Sequence, residues 1–231
     1  MYKKVLVIAV HPDDETLGAG GTLLKHKAKG DEIHCIFCTD IFEDEGFSKE
    51  QIDTREQELQ EISKSYAFTS IHRLGLKTTK IDQYSQAHLV SLFSQIFEKI
   101  KPNILYLPFA YDVHSDHRII FQTAFSCTKS FRHPSIEKIL MMETLSESEF
   151  APALTHQSFI PNVFVDISDF FEKKCQIMKI YKSELGKAPF PRSIENIKAL
   201  ATFRGCTMAA GGGILANAKY AESFMLLKER C

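Results

Sequence analysis

The sequence predicts a single α/β domain of the Rossmann-like type over residues 1–231, with a mostly parallel sheet and helices on both faces. The run VLVIAV at 5–10 is typical of a strand that is buried on both faces. Strand and helix patterns alternate over 5–129, as expected of parallel βαβ units. A chain of 231 residues is long enough to bury about 70–75% of its unfolded surface in one domain.

The predicted elements follow one another in regular order. The first helix stops at Gly30, a residue type that favours helix ends. The third helix has Leu89, Phe93 and Ile96 at helical spacing. The predicted strands are 5–10, 33–39, 71–76, 104–107, 138–143 and 163–167. The predicted helices are 16–29, 49–66, 86–100 and 118–129, with a loop over 40–48.

The alternation weakens from about residue 151 onward. Ser168 or Asp169 is predicted to cap a helix that runs to about Leu185. The run AAGGG at 209–213 is predicted to be a surface turn. We treat this part of the chain as an elaboration of the same domain.

Composition and charge argue against several classes of partner. The formal net charge is −1, so no overall field favours nucleic acid or an anionic membrane. No run approaches the ~20 apolar residues of a membrane span. Cys35 and Cys38 form a C-x-x-C motif, but on a strand they point to opposite faces and are predicted to be buried hydrophobes. Scattered cysteines of this kind favour a reducing, cytoplasmic setting.

Two clusters of histidine and carboxylate residues follow predicted strands. HPDDE occupies 11–15, directly after the first strand, and DVHSDH occupies 112–117, just after the fourth. Open α/β sheets carry their chemistry beyond the carboxyl ends of the strands, where the strand order reverses. By our count the first and fourth strands flank that point, so the two loops are predicted to face each other.

The residue types in these clusters suit a divalent metal. Imidazole and carboxylate ligands favour zinc or a neighbouring ion, and a catalytic zinc takes three protein ligands and a water. The surplus residues can supply a base for that water and a donor for an oxyanion. The pattern alone does not choose between Asp13 and Asp14, nor between His114 and His117. Asp112 either points into the cleft or is solvated in its loop.

The two clusters also resemble the motifs of a known family. VHPDDETLGAGGTL at 10–23 and HSDH at 114–117 look like those of the LmbE/PIG-L family of zinc-dependent N-deacetylases, which includes the deacetylases of mycothiol and bacillithiol biosynthesis. The resemblance extends over nearly the whole chain. Supporting pieces are TREQELQEIS at 54–63, YKSEL at 181–185 and PRS at 191–193. One departure is the longer link over 206–219, which does not touch the metal motifs.

The resemblance implies which residues hold and use the metal. The zinc ligands would be His11, Asp14 and His117. Asp13 would be the general base that acts on the water activated by zinc. All of these residues lie within the two clusters.

The resemblance also implies roles around the reacting group. A protonated His114 would stabilise the oxyanion or act as an acid, with Asp116 holding its ring. Arg55 would contact sugar hydroxyls, although its position on a helix equally allows a pair with Glu58 one turn away.

The implied reaction removes an acetyl group from the nitrogen of an amino sugar or a GlcNAc-containing conjugate, and releases acetate. Many relatives assemble, so a homo-oligomer stays open. Two alternatives remain at this point: a divalent-metal phosphoesterase, and a non-catalytic module that binds a sugar or a nucleotide. Two-metal phosphoesterases need more bridging carboxylates than these clusters offer, and LGAGGTL at 17–23 does not fit the G-x-G-x-x-G nucleotide fingerprint.

Overall fold

A central sheet organises the computed structural model, which describes residues 2–208 and 218–230. The strands are β1 (Lys4–Ala9), β2 (Glu32–Asp40), β3 (Ser70–Lys77), β4 (Ile104–Leu107), β5 (Lys138–Met142), β6 (Val163–Asp166) and β7 (Ala221–Glu229). They form a 7-stranded sheet in the order β3-β2-β1-β4-β5-β7-β6. β7 pairs antiparallel with β5 and with β6, and the other described strand pairs are parallel, so the predicted, mostly parallel sheet is confirmed.

Helices cover both faces of the sheet, as predicted. They are α1 (Asp14–Ala28), α2 (Lys49–Tyr66), α3 (Gln86–Ile100), α4 (Ser115–Ser126), α5 (Phe171–Met178) and α6 (Ile194–Thr207). Side chains of α1, α2, α5 and α6 pack into one hydrophobic core, and those of α3 and α4 pack into the other. Within residues 2–208 and 218–230, none of the helices combines the length and apolar character needed to cross a lipid bilayer.

The central strand β1 is buried on both of its faces. Val5 and Val7 point into the core beneath α1, while Leu6 and Ile8 point into the opposite core. For this reason the strand is a continuous apolar run rather than an alternating one. Cys35 and Cys38 on β2 also point into opposite cores, are buried and carry free thiols, as predicted.

The strand order reverses at β1. This strand pairs with β2 on one side and with β4 on the other. The segments that follow β1 and β4 therefore leave adjacent parallel strands at the same edge of the sheet. A crevice at this edge is the usual place for a ligand in open α/β sheets.

Several predicted boundaries are wrong. α1 begins at Asp14 rather than at 16, and α4 begins at Ser115 rather than at 118, so parts of both clusters belong to first turns of helices. Neither Ser168 nor Asp169 caps α5, which is preceded by Phe170. The Ser168 hydroxyl instead donates to Asp166 Oδ1.

Two C-terminal elements, α6 and β7, are absent from the prediction. α6 buries a narrow stripe, Ile197, Ala201 and Gly205, which is too weak a pattern to recognise. β7 consists mainly of residues that favour helices, and its pairing with β5 and β6 overrides that preference. The turn predicted at 209–213 lies outside the described residues.

Candidate metal centre and active-site cavity

Two histidines and one aspartate bring three donor atoms together beyond the ends of β1 and β4. His11 follows β1, Asp14 begins α1, and His117 lies in the first turn of α4. His117 Nε2 lies 3.3 Å from both His11 Nδ1 and Asp14 Oδ2. His11 Nδ1 lies 4.0 Å from Asp14 Oδ2. The two clusters therefore converge on one point, as their places after adjacent strands predicted.

These separations fit one small divalent cation. Ligands about 2.1 Å from a tetrahedral zinc lie about 3.4 Å from one another, close to the observed distances. Two imidazoles and one carboxylate are also a ligand set of zinc hydrolases, with a fourth position left for water or substrate. The donor chemistry of His11, Asp14 and His117 therefore fits zinc.

A buried carboxylate fixes the ring of His117. Asp112 is fully buried and its Oδ2 atom lies 2.8 Å from His117 Nδ1, so it is not solvated in its loop. The Ser148 hydroxyl and the Phe109 backbone N–H both donate to the same carboxylate. Because Nδ1 of His117 donates to Asp112, the lone pair on Nε2 is left for a metal.

Asp116 supports His11 in the same manner. Its Oδ2 atom lies 3.3 Å from His11 Nε2 and accepts the backbone N–H of Thr79. This differs from the expectation that the Asp116 carboxylate holds the ring of His114. His114 Nδ1 is 3.8 Å from that carboxylate and instead accepts the backbone N–H of Asp116.

A second group of donors competes with the first. His11, His114 and Asp116 also offer ligand atoms within 4.8 Å of one another. This group shares the ring of His11 with the first group, and the His114 Nδ1 atom is already engaged by a backbone N–H. The first group has its donor atoms turned toward one another, and it is therefore the better candidate for a metal.

The charges at the first group are matched within the protein. Burial alone would raise the pKa of Asp14, but the His117 and His11 rings outweigh it and lower that pKa to about 2. Burial alone would lower the pKa of His117, but Asp14 and Asp112 raise it well above its usual value. In metal-free protein, His117 therefore carries one positive charge between these two carboxylates.

The Asp13 carboxylate does not cap the helix that follows it. It precedes α1, yet its side chain makes no capping hydrogen bond. Its φ angle of 139° is strained for a non-glycine residue, at a cost of about 1–3 kcal/mol. Burial and the charges of Asp14 and Glu184 raise the pKa of Asp13 well above its usual value, although Arg192 lies 3.7 Å away. A buried carboxylate of raised pKa is suited to accept a proton.

Glu15 lies behind Asp13 and holds its backbone. One Glu15 oxygen accepts the Asp13 N–H at 3.2 Å. The other oxygen accepts the hydroxyls of Thr16 at 2.6 Å and Tyr181 at 2.9 Å. Burial raises the pKa of Glu15 to about 7, although the hydrogen bonds from Thr16 and Tyr181 oppose the shift. No role is predicted for this residue from the sequence.

We expect the substitution Glu15→Gln to flatten the pH dependence of stability in metal-free protein. Between the unfolded pKa of 4.5 and the folded value of about 7, the folded chain keeps a proton that the unfolded chain has lost. The unfolding free energy of the wild type therefore falls as the pH rises through that window, by up to about 3 kcal/mol from this residue. Denaturant unfolding at several pH values measures the slope.

Glu61→Gln is the matched control for this measurement, because Glu61 is an exposed residue of α2. This control variant is expected to keep the wild-type slope. An unchanged slope in Glu15→Gln would show that Glu15 is ionised in the folded protein throughout the window.

His114 is a neutral ring at the edge of the site. Burial and the neighbouring His11 lower the pKa of His114 to about 4, which differs from the expected protonated form. The Nδ1 atom accepts the backbone N–H of Asp116, so the ring proton lies on Nε2. Glu147, for which the sequence predicts no role, accepts the backbone N–H of His114 and fixes this segment.

The site opens into a cavity of about 480 Å³. Arg55 lines this cavity, and its guanidinium pairs with Glu184 at 2.6 Å and with Glu58 at 3.4 Å. Arg192 and Glu147 also line it and were not assigned by sequence. Arg192 belongs to the PRS piece and could have been singled out there, whereas nothing in the sequence marks Glu147.

Comparison with known proteins identifies related sequences. The family model described as PIG-L, GlcNAc-PI de-N-acetylase, matches residues 6–128. A diacetylchitobiose deacetylase from Thermococcus kodakarensis is 25% identical over 189 residues, which cover 79% of this chain and 70% of the relative.

Solved structures share the fold over nearly the whole chain. An N,N'-diacetylchitobiose deacetylase from Pyrococcus horikoshii superposes with a TM-score of 0.73 and 23% identity, covering 98% of this chain and 84% of that one. GalB, a 4-carboxy-2-hydroxymuconate hydratase from Pseudomonas putida KT2440, superposes with a TM-score of 0.74 and 16% identity, covering 99% and 98%. The fold therefore hosts more than one reaction, and the fold alone does not decide the chemistry.

Proposed function

Because the chain belongs to the PIG-L family of deacetylases, hydrolases of amide carbon–nitrogen bonds, we propose that it uses zinc to remove the acetyl group from the nitrogen of an amino sugar. The observation that carries this proposal is the convergence of three donor atoms at zinc-like spacing, next to a buried carboxylate, Asp13, that is not among them. The relative from T. kodakarensis is named for a diacetylated sugar, which supports a substrate of the N-acetylglucosamine type.

In this proposal one domain, residues 1–231, carries the whole site. His11, Asp14 and His117 would hold the ion through Nδ1, the carboxylate and Nε2. Zinc bound there would polarise the amide carbonyl and lower the pKa of a water molecule. The remaining steps fall to the protein's own side chains.

Asp13 moves the proton. It accepts a proton from the attacking water while the water oxygen bonds to the carbonyl carbon. The carbon–nitrogen bond then breaks, and Asp13 returns the proton to the leaving nitrogen. The products are acetate and a free amino sugar. The raised pKa of Asp13 supports the first transfer, because a stronger base accepts the proton more readily.

His114 stabilises the negative charge that develops on the carbonyl oxygen. It does so as a neutral ring, because its pKa is lowered to about 4. With Nδ1 occupied by the Asp116 N–H, the donor is Nε2–H. A fixed neutral donor of this kind strengthens its hydrogen bond as charge builds up on the oxygen.

Two further residues position these groups and the substrate. Asp116 orients His11 through its carboxylate and His114 through its backbone N–H. Arg55 contacts sugar hydroxyls through guanidinium N–H groups that are not used in its pairs with Glu58 and Glu184.

Acetate release from N-acetylated sugars tests the proposed function. Zinc-loaded protein is incubated with a panel of N-acetyl amino sugars and, in parallel, with sugar phosphates. We expect stoichiometric acetate and free amine, with the mass loss of one acetyl group. Phosphate release without acetate would instead support a phosphoesterase. That alternative is disfavoured because the two donor groups share the His11 ring rather than a bridging carboxylate.

We expect the substitution Asp112→Asn to weaken zinc binding by about 10–100-fold. The amide can present its NH₂ group to His117 Nδ1 and stabilise the wrong tautomer, in which Nε2 carries the proton. Zinc affinity is measured by competition with a chromophoric chelator. Glu149→Gln is the control, because the Glu149 carboxylate accepts the Ser146 backbone N–H rather than holding a ligand ring. Equal zinc affinities in the wild type and both variants would contradict the proposed role of Asp112.

A further inference from the structure

Carboxylates dominate the cavity beyond the proposed metal ligands. Five further carboxylate residues line the cavity in addition to Asp13 and Asp14, and we call these five the acidic wall. They are Asp40, Glu50, Glu58, Glu147 and Glu184. The same cavity has two guanidinium groups, those of Arg55 and Arg192, among its described lining residues.

Both arginines are already neutralised by pairs of carboxylates. Arg192 lies 3.7 Å from Asp13 Oδ2 and 3.3 Å from Glu184 Oε2. Arg55 lies 2.6 Å from Glu184 Oε1 and 3.4 Å from Glu58 Oε2. Each guanidinium therefore stands between two carboxylates, and an anionic ligand would have to displace one of them.

The acidic wall also has carboxylates that these arginines do not balance. Asp40 pairs with Arg73, which lies outside the cavity lining. Glu50 has no ion-pair partner within residues 2–208 and 218–230. Glu147 has none there either, but burial raises its pKa to about 7, so it carries only part of a negative charge near neutral pH. In the zinc-loaded enzyme, Asp13 and Asp14 would offset the two charges of the ion, and Glu58 and Glu184 would offset the two arginines. Glu50 and the partly ionised Glu147 then keep the acidic wall negative.

We propose that the acidic wall selects amino-sugar substrates by charge, favouring those whose attached group carries a basic amine over those that carry a phosphate or carboxylate. This inference rests on the proposed function and names the class of its substrate. A cationic group gains attraction from the wall without displacing an existing pair. An anionic group meets like charges in a concave site, where such repulsion is strongest.

Three matched glycosides of N-acetylglucosamine test this selection. Their linkers have equal length and end in an ammonium, a hydroxyl or a carboxylate group. One unit charge about 7 Å away in water-like surroundings changes an equilibrium about threefold, and several carboxylates act together. We expect kcat/KM to be highest for the ammonium glycoside and at least about tenfold lower for the carboxylate glycoside at low ionic strength. Added salt should narrow the difference.

Two variants on α2 distinguish the charge effect of the acidic wall from that of other surface carboxylates. Glu50→Gln removes one charge from the acidic wall and is expected to reduce the ammonium-to-carboxylate ratio about sevenfold, because the change acts in opposite directions on the two glycosides. Glu61→Gln removes one charge from an exposed position outside the cavity lining, and the ratio is expected to stay unchanged.

Binding of the glycosides is measured in parallel, so that a failure of the proposed deacetylase function can be distinguished from a failure of the charge selection. Zinc-loaded Asp13→Asn protein is titrated with the same three glycosides by calorimetry. If no glycoside is deacetylated by the wild type, the proposed function is wrong, while the order of Kd values still tests the wall. Equal Kd values, tighter binding of the carboxylate glycoside, or no binding of any glycoside would overturn the inference.

Discussion

Replacing Asp13 with asparagine is expected to lower kcat about a thousandfold while the protein keeps its zinc. The amide has the same shape as the carboxylate but cannot accept a proton from water. Because Asp13 is not one of the three converging donors, metal content should stay at the wild-type level. Steady-state acetate release and metal analysis of the same preparation measure the two quantities.

The control for this experiment is Asp31→Asn. Asp31 is also buried and pairs with a histidine, His26, but it lies at the opposite end of the sheet, before β2. This control is expected to keep near wild-type kcat. Normal turnover by Asp13→Asn on a confirmed substrate would show that another group is the base.

Replacing His117 with alanine is expected to abolish both zinc binding and deacetylation. The substitution removes the donor atom that lies 3.3 Å from each of the other two. Loss of several kcal/mol of stabilisation by the metal corresponds to a fall in kcat/KM on the order of 10⁴-fold. Zinc content after dialysis and acetate release measure the effect.

The same substitution leaves Asp14 and Asp112 buried without their cationic partner, which costs about 3–5 kcal/mol of stability. Unfolding is therefore monitored, and zinc content is compared only in folded protein. His34→Gln is the control, because His34 is a buried histidine near the start of β2, at the end of the strand away from the site. Zinc retained at full occupancy in His117→Ala would contradict the ligand assignment.

The part of the fold that positions the site could be predicted from the sequence. β1 and β4 are continuous apolar runs because helices cover both faces of the sheet, and short runs of this kind are typical of buried parallel strands. The amphipathic spacing of α2 and α3 predicted their bounds as observed. α6 and β7 could not be predicted, because α6 buries few side chains and β7 is a strand through its partners rather than through its composition.

The supporting contacts of the site could not be predicted in the same way. The sequence marks Asp112 and Asp116 as neighbours of histidines, but it does not show which ring each carboxylate meets. Asp116 meets His11 because the loop after β1 approaches α4 in space, not in sequence. Glu147 comes from a segment after β5 that has no motif.

A zinc-edge anomalous difference map from a crystal of the zinc-loaded protein would locate the ion. We expect one peak at about 2.0–2.2 Å from His11 Nδ1, the Asp14 carboxylate and His117 Nε2. A peak beside His114 and Asp116 instead, or no peak among these residues, would contradict this ligand assignment.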